Sequence, residues 1–453
     1  MRKNLLLSAA LSFLTVAGAS AQDLSDYTFY DLSQQVWYDV DNMKWSGTYG
    51  VFNKVSANGQ YAVGYDAVMY SGLAFRWNAD TPDELEVISN DWDLSIMPFD
   101  VTNDGVCVGG FNTKEDKTMY PGYRTNEGDW VALPVSEDYS TTDAYENLSH
   151  ANAVTPDGKY IAGQYYIVMG EKESPLGGMV ELRYLLPVVW EKDGDSYKLT
   201  EYRDLGEAGK NMLYDTDKGE FVDTQKDVNF QTFYVYDISN DGKTIVGMNT
   251  AETGGQNPAI IRDGKLLQLF DCNNQSTYTF NGGLCNSIDA NGNVYGYFLG
   301  DEDATYFVYK TDGTMEYFDD MTICGTKDGT RFGQVTGSLA NTLDCSEDGS
   351  VIVGGVVVST YMGECNAPAL YKKPVTTGVD RIESIDKAVN VKYSGDVLVV
   401  TGKYSKAELY SATGALIANG GQGKVFSMAG QPAGAYIVKV TTADGVKSFK
   451  FAR

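Results

Sequence analysis

The chain has 453 residues, 43% hydrophobic and 12% aromatic, with 49 Gly, 32 Tyr and a formal charge of -26. That apolar and aromatic content excludes a disordered chain, and the acidity makes nucleic acid a poor partner. One histidine, His150, excludes a His-based triad or multi-His metal centre, while 61 carboxylates are too many for composition to single out an acid/base pair.

The opening MRKNLLLSAALSFLTVAGASA has a basic start at Arg2 and Lys3, an apolar centre from Leu5 to Val16, and small residues at Ala19 and Ala21. This is the pattern of a secretory signal peptide over residues 1–21, too short and wrongly flanked for a membrane anchor. Removing two positive charges and no acid takes the formal charge from -26 to -28. No Cys follows the cut, and no later stretch is apolar and long enough to span a bilayer as a helix.

From residue 50 onward one phrase returns: VSANGQYAVG, VTNDGVCVGG, VTPDGKYIAG, ISNDGKTIVG, IDANGNVYG and CSEDGSVIVG. The turn glycines are Gly59, Gly105, Gly158, Gly242, Gly292 and Gly349, each preceded by Asn or Asp. Four residues earlier stand Val55, Val101, Val154, Ile238, Ile288 and Cys345, and directly after them comes a small polar residue whose oxygen can cap a tight turn. Glycine supplies the positive φ that closes such a hairpin. A third strand follows each hairpin, as in AFRW (74–77) and PVVW (187–190), and most copies add a fourth, as in LEVIS (85–89) and LLQLF (266–270).

Four short strands about every 50 residues predict an all-β chain whose residues 22–373 form a β-propeller. The last unit stops after its third strand, and YTFYDLS (27–33) resembles the fourth strands elsewhere, so the N-terminal segment is expected to complete it and remove both sheet edges. That gives six blades. The long gap between Gly158 and Gly242 leaves room for a seventh but lacks the turn, and reads as two loop insertions, 170–185 and 206–231. The unit loosely resembles the extracellular HAF repeat, with Ala74-Phe75 the nearest copy and the His of that name missing; the resemblance implies architecture and no activity.

Beyond the linker 374–379 the texture changes to VNVKYSGDVLVVTG, KAELYSATGALIANG and VFSMAGQPAGAYIVKVTTADGVKSFKFAR. These alternate as strands of a small Ig-like antiparallel β-sandwich over residues 380–453. The segments Ala407–Tyr410 with Thr413-Gly414, Gly434–Val440 and Lys447–Arg453 closely resemble the C-terminal sorting domain of the type IX (Por) secretion system. That resemblance implies export through the type IX machinery and release from, or display on, the outer surface of a Gram-negative bacterium. The ending Phe451-Ala452-Arg453 departs from the Lys-rich tail usual there.

Candidate chemistry is sparse. Cys272 and Cys285 flank one loop and form the tightest candidate disulfide, while Cys107 and Cys345 read as core residues. Three turns carry the first half of an oxygen-rich calcium loop: Asp100 with Asp104, Asp237 with Asp241, and Asp344 with Asp348. None has the acidic twelfth residue, and the other units place Lys54, Ala153 and Ser287 at the first position, so turn chemistry explains these carboxylates better and no cofactor is expected. Trp77 and Trp190 occupy a repeated slot and read as packing between blades; Trp37, Trp45 and Trp92 lie outside the repeat and are the candidates for stacking on a ligand. The sequence thus points to a secreted or surface non-catalytic binding or adhesion propeller, with a glycan or surface protein as partner. A polysaccharide hydrolase or lyase with paired carboxylates, and a structural subunit of a surface assembly, are the alternatives.

Overall fold

The computed structural model describes residues 24–452 apart from residues 36–49, 67–72, 92–93, 141–147, 174–177, 206–209, 216–219, 228–231, 251–255, 271–281, 300–303, 319–322, 325–330, 333–340, 361–362, 375–388 and a few isolated or paired positions. The signal segment 1–21 lies outside the described residues. The chain divides into two compact units, Met1–Lys373 and Pro374–Arg453. Among the described residues there is no α-helix, and no helix long and apolar enough to cross a membrane.

In the N-terminal unit each repeat is an antiparallel sheet. Sheet A holds Gly50–Val55, Tyr61–Asp66, Leu73–Asn78 and Leu85–Asn90; sheet B holds Ile96–Val101, Cys107–Phe111, Tyr120–Arg124 and Trp130–Ala132. Sheet C is His150–Val154, Tyr160–Glu173, Met179–Asp193 and Ser196–Glu201; sheet D is Thr232–Ile238, Thr244–Thr250, Gln256–Arg262 and Lys265–Phe270, and the two are joined by one parallel pair, Leu185 with Thr232. Sheet E is Gly283–Ile288, Val294–Leu299, Ala304–Tyr309 and Met315–Phe318; sheet F is Asn341–Cys345, Val351–Thr360 and Gly363–Lys372. The fourth strand of sheet F is Thr28–Asp31 from the N-terminus, with Phe29 opposite Tyr371 and Asp31 opposite Ala369.

The turns form for the reason read in the sequence. Ser239 donates its hydroxyl to Asp241 at 2.7 Å, accepts the Thr244 amide at 3.0 Å, and offers its carbonyl to the Gly242 amide at 2.9 Å. Gly242 has a φ of 73°, and a Cβ there would lie 2.6 Å from the Tyr160 ring of sheet C. The glycine therefore serves the turn and also seats one sheet on the next. The first strand of every sheet carries a β-bulge just before the turn, at Asn53, Phe99, Asn152, Tyr236, Asn286 and Leu343.

Apolar residues of neighbouring sheets share cores. Ala153 and Val189 of sheet C pack with Phe233 and Ile245 of sheet D, and Val246 and Ile260 of sheet D with Cys285 and Phe307 of sheet E. Phe52, Phe75 and Trp77 of sheet A pack with Val351, Val353 and Leu370 of sheet F, so the last sheet meets the first. This is a β-propeller arrangement. Trp77 and Trp190 are fully buried, their indole N–H groups donating to the carbonyls of Pro82 at 3.0 Å and Pro134 at 2.7 Å.

Two sequence expectations change. The insertions 170–185 and 206–231 contain regular structure: the former lies largely within a long hairpin of sheet C, and the latter contains the hairpin Lys210–Asp215 with Glu220–Asp227, which joins the edge of sheet D in parallel to Lys265–Phe270. The second hairpin thereby covers the outer edge of sheet D. Cys285 is a free buried thiol inside the core between sheets D and E, and its candidate partner Cys272 lies outside the described residues.

The C-terminal unit has two antiparallel sheets. One is Val389–Ser394, Val397–Gly402 and Val425–Ser427; the other runs in the order Leu416–Gly420, Lys406–Ser411, Ala435–Thr442, Gly445–Ala452. Val391, Leu398, Val400, Leu409, Phe426, Val438 and Val440 share their core.

Candidate functional site

In a four-stranded antiparallel unit, the turns from strand one to two and from three to four emerge at one end, and the remaining connections at the other. The first end here is uniform, made of short turns such as 56–60, 102–106, 155–159, 239–243 and 346–350. Among the described residues the longer connections, such as 112–119 and the extended hairpin of sheet C, belong to the opposite, irregular end. The three ligand-contact candidates Trp37, Trp45 and Trp92 lie outside the described residues.

The axis of the array carries the most distinctive chemistry. The residue following each bulge is Lys54, Asp100, Ala153, Asp237, Ser287 or Asp344 in sheets A to F. Lys54 is within electrostatic reach of Asp100, Asp237 and Asp344, which belong to three other sheets, and its Nζ lies 3.9 Å from Asp344. Only positions around a common centre can meet in this way.

Each aspartate bridges two sheets. Asp100 accepts its neighbour's amide, from Val101, at 2.8 Å and the Val154 amide of sheet C at 2.8 Å. Asp237 accepts Ile238 at 2.8 Å and Ile288 of sheet E at 2.9 Å. Asp344 accepts Val55 of sheet A at 3.0 Å and also the amide of Cys345. The junctions B–C, D–E and F–A are thus stapled by a carboxylate. Two of them carry a second bond between turns, Asn103 N–H to Pro156 and Glu347 N–H to Ala57, both at 2.9 Å. Junction A–B is held differently, by Asn58 N–H to the Asn103 side chain at 2.9 Å and Arg76 to the Gly105 carbonyl at 2.8 Å; junction C–D uses Val235 N–H to Gln164 at 2.9 Å.

Burial is the largest influence on these acids. It pushes Asp100 up to about 7 and Asp344 up to about 6, and raises Asp237, against the opposing pull of Lys54 and the amides. Their former partners in the calcium pattern behave otherwise. Asp104, Asp241 and Asp348 accept the turn hydroxyls of Thr102, Ser239 and Ser346, and the latter two also accept the amides of Lys243 and Ser350. The two carboxylates of each turn therefore engage separate partners. Among the described residues no group of three or more His, Cys, Asp or Glu is placed to hold a metal ion.

Above the carboxylates, toward the irregular end, lies an aromatic layer that sequence reasoning missed. Phe99 and Tyr236 are bulge residues, directly preceding Asp100 and Asp237. Tyr65 of sheet A packs 5.2 Å from Phe99 and feels the phenol of Tyr236 in sheet D, which in turn feels Tyr234 and Tyr297 of sheet E. Burial raises all four phenols, Tyr236 to about 12. His150 closes one side, its ring 4.8 Å from Phe99; burial depresses it to about 3, so it is a neutral packing residue. The only sequence signal for this layer is a column one residue before the axial position that fits neither a buried strand nor a turn.

Away from the axis, a groove of about 460 Å³ is lined by Leu199, Glu201, Tyr202, Arg203, Leu205 and Gly264. Its Arg203 is held by both Asp138 oxygens at 2.6 and 2.8 Å and by Glu201 at 2.7 Å, so its charge is already paired.

No family model matches the sequence, and no curated protein matches it. Among solved structures the chain is similar to TolB from Acinetobacter baumannii, at 11% identity and a TM-score of 0.34, over 84% of this chain and 66% of that one. It is similar to the gluconolactonase XC5397 from Xanthomonas campestris, at 14% identity and a TM-score of 0.34, over 78% and 91%. It is also similar to PorZ, a surface component of the type IX secretion system of Porphyromonas gingivalis, at 12% identity and a TM-score of 0.19, over 88% and 74%. Likeness at this level says nothing of ligand or activity.

Proposed function

We propose that the chain is an exported, non-catalytic binding or adhesion protein: a six-bladed β-propeller over residues 22–373 whose irregular end contacts the ligand, joined through 374–379 to an Ig-like sorting sandwich over 380–453. In this reading residues 1–21 direct export, the sandwich is recognised by type IX machinery, and the mature protein is released or held on the outer surface of a Gram-negative bacterium. A glycan or a surface protein is the partner, met by Trp37, Trp45 and Trp92.

The observation that carries the non-catalytic reading is the state of the axial acids. A hydrolase needs one carboxylate free to reach a scissile bond and a second to act with it. Asp100 and Asp237 each accept one amide from their own strand and one from the next sheet, Asp344 follows the same pattern, and both oxygens of Asp100 and Asp237 are thereby engaged in holding the ring. Glycan-array binding by the mature protein, run beside polysaccharide turnover, tests the reading. Retention without product supports it; released sugar overturns it.

A further inference from the structure

We infer that the groove between sheets C and D, lined by Leu199, Tyr202 and Leu205 and edged by Glu201 and Arg203, is a binding site for a neutral pyranose sugar. The site is distinct from Trp37, Trp45 and Trp92 and does not depend on what they meet.

The fold builds the polar edge and holds it still. Glu201 ends the fourth strand of sheet C, and the chain then runs on to Leu205, which is buried in the core that sheets C and D share. Segment 134–140 lies along sheet C, fixed by Trp190 Nε1–H to the Pro134 carbonyl at 2.7 Å, Ser140 N–H to Tyr166 at 2.8 Å and Val168 N–H to Asp138 at 3.1 Å. Asp138 is thereby set opposite Arg203. The guanidinium donates from Nη1 and Nη2 to the two Asp138 oxygens at 2.6 and 2.8 Å, and from Nε and Nη2 to the two Glu201 oxygens at 2.7 and 3.0 Å. The buried Tyr165 adds its hydroxyl to Glu201 Oε1. Bonds from Arg203 hold the Asp138 carboxyl well below its usual range, and in Glu201 burial is outweighed by the bonds from Arg203 and Tyr165, so both acids are ionised at neutral pH.

Charge and spare hydrogen-bonding capacity decide the class of ligand. Two carboxylates around one guanidinium leave no unpaired cation to hold an anion, and a cationic ligand has to compete with Arg203 for the same oxygens. An uncharged polyol disturbs neither pairing. A guanidinium has five N–H donors, and the four bonds to Asp138 and Glu201 leave one on Nη1. Glu201 Oε2 accepts only the Nε bond among the described residues, so a donor and an acceptor stand on one rigid pair and match two neighbouring sugar hydroxyls, each of which both donates and accepts. The half-buried Tyr202 is kept in its phenol form by burial, and its hydroxyl has no hydrogen-bond partner among the described residues. Its ring and Leu199 offer apolar surface to the C–H face of a pyranose. A wholly apolar ligand would strip water from these polar groups without replacing its bonds. The volume, about 460 Å³, lies within the range of small-molecule sites.

The test is calorimetric titration of the mature protein with methyl glucoside, methyl mannoside and methyl galactoside, with methyl glucuronide as the anionic and glucosamine as the cationic counterpart. At least one neutral glycoside is expected to bind about tenfold more tightly than either charged sugar. Tyr202→Ala is expected to weaken it about fivefold or more, while a triple Trp37→Ala, Trp45→Ala, Trp92→Ala variant retains it. Should the Tyr202 variant fail to fold, methyl NMR of the wild type answers the same question, since the Leu199 and Leu205 resonances shift when the groove fills. Binding by none of the neutral glycosides, equal or tighter binding of a charged sugar, or binding that leaves both leucines unmoved and is lost in the triple Trp variant would each overturn the inference.

Discussion

Sheets B, D and F differ from sheets A, C and E in the residue that follows the bulge. The first set places Asp100, Asp237 and Asp344 after the bulge and uses each to tie itself to the following sheet; the second set places Lys54, Ala153 and Ser287 there. Equivalent backbones thus carry unequal junctions: F–A, B–C and D–E are stapled by buried acids, whereas A–B and C–D rely on amide side chains and an arginine. The difference teaches that a repeated scaffold can hold its charge economy in one shared place. A buried carboxylate left without partners is costly, and here two amides and a common lysine offset part of that cost, the acids staying raised.

The largest way to break the comparison is to open the F–A junction. Deleting residues 27–33 removes the strand paired to Gly363–Lys372 and the Tyr27 hydroxyl bond to the Gly349 carbonyl at 2.6 Å. The edge of sheet F is then exposed, and the unfolding transition is expected to lose its cooperativity or the protein to associate, as seen by calorimetry and sedimentation. A native melting profile would contradict this.

Next in size is removal of a staple. Asp344→Ala leaves the Val55 amide buried and unpartnered and is expected to cost about 2–4 kcal/mol by denaturant unfolding. Lys54→Met sharpens the comparison differently. It should destabilise the protein more at pH 8 than at pH 5, because Asp100 and Asp344 titrate near 7 and 6 and are then ionised without their cation.

The pH dependence of the wild type follows with its sign. Asp100 and Asp344 titrate near 7 and 6 when folded and near 4 when unfolded, so the folded state holds their protons more tightly. Their contribution is full below the unfolded value and is lost as the pH rises through 6–7. Asp157, Asp241, Asp348 and Glu201 are lowered in the fold and act oppositely, contributing above about pH 4 and failing in acid. The melting temperature should therefore peak near pH 5, and Asp100→Asn should flatten the alkaline side. The smallest expected effect is Gly242→Ala, at about 1–2 kcal/mol, because φ is positive and the new Cβ meets Tyr160.

Much of the scaffold was legible because local chemistry dictates it. The Asp/Asn-Gly column gives the turns, the Ser/Thr before it gives the cap, and YTFYDLS reads as a fourth strand that lacks a hairpin of its own. Trp77 and Trp190 were legible as packing because they recur at one strand position. The axis was not legible. Lys54, Asp100, Asp237 and Asp344 look in sequence like an incomplete calcium pattern, and only the ring brings them together. A bulge adds one residue whose direction depends on the partner strand, so Phe99 and Tyr236 carry no periodic mark that shows them facing the centre. The insertions hid their strands for a related reason: their pairing partners, such as Lys265–Phe270, lie far along the chain.

The central claim is that the axial carboxylates are buried staples, each accepting amides from its own strand and from the next sheet, and raised by that burial. Carbon-detected NMR of the mature protein, labelled at the aspartate side-chain carboxyls, follows each one through a titration from pH 3 to pH 9. The account predicts that the resonances lost on Asp100→Asn and Asp344→Asn move with midpoints near 7 and 6, and that the Asp237 resonance also moves above the ordinary carboxylate range. Midpoints below pH 4 for all three would contradict it, since burial would then not outweigh Lys54 and the amides.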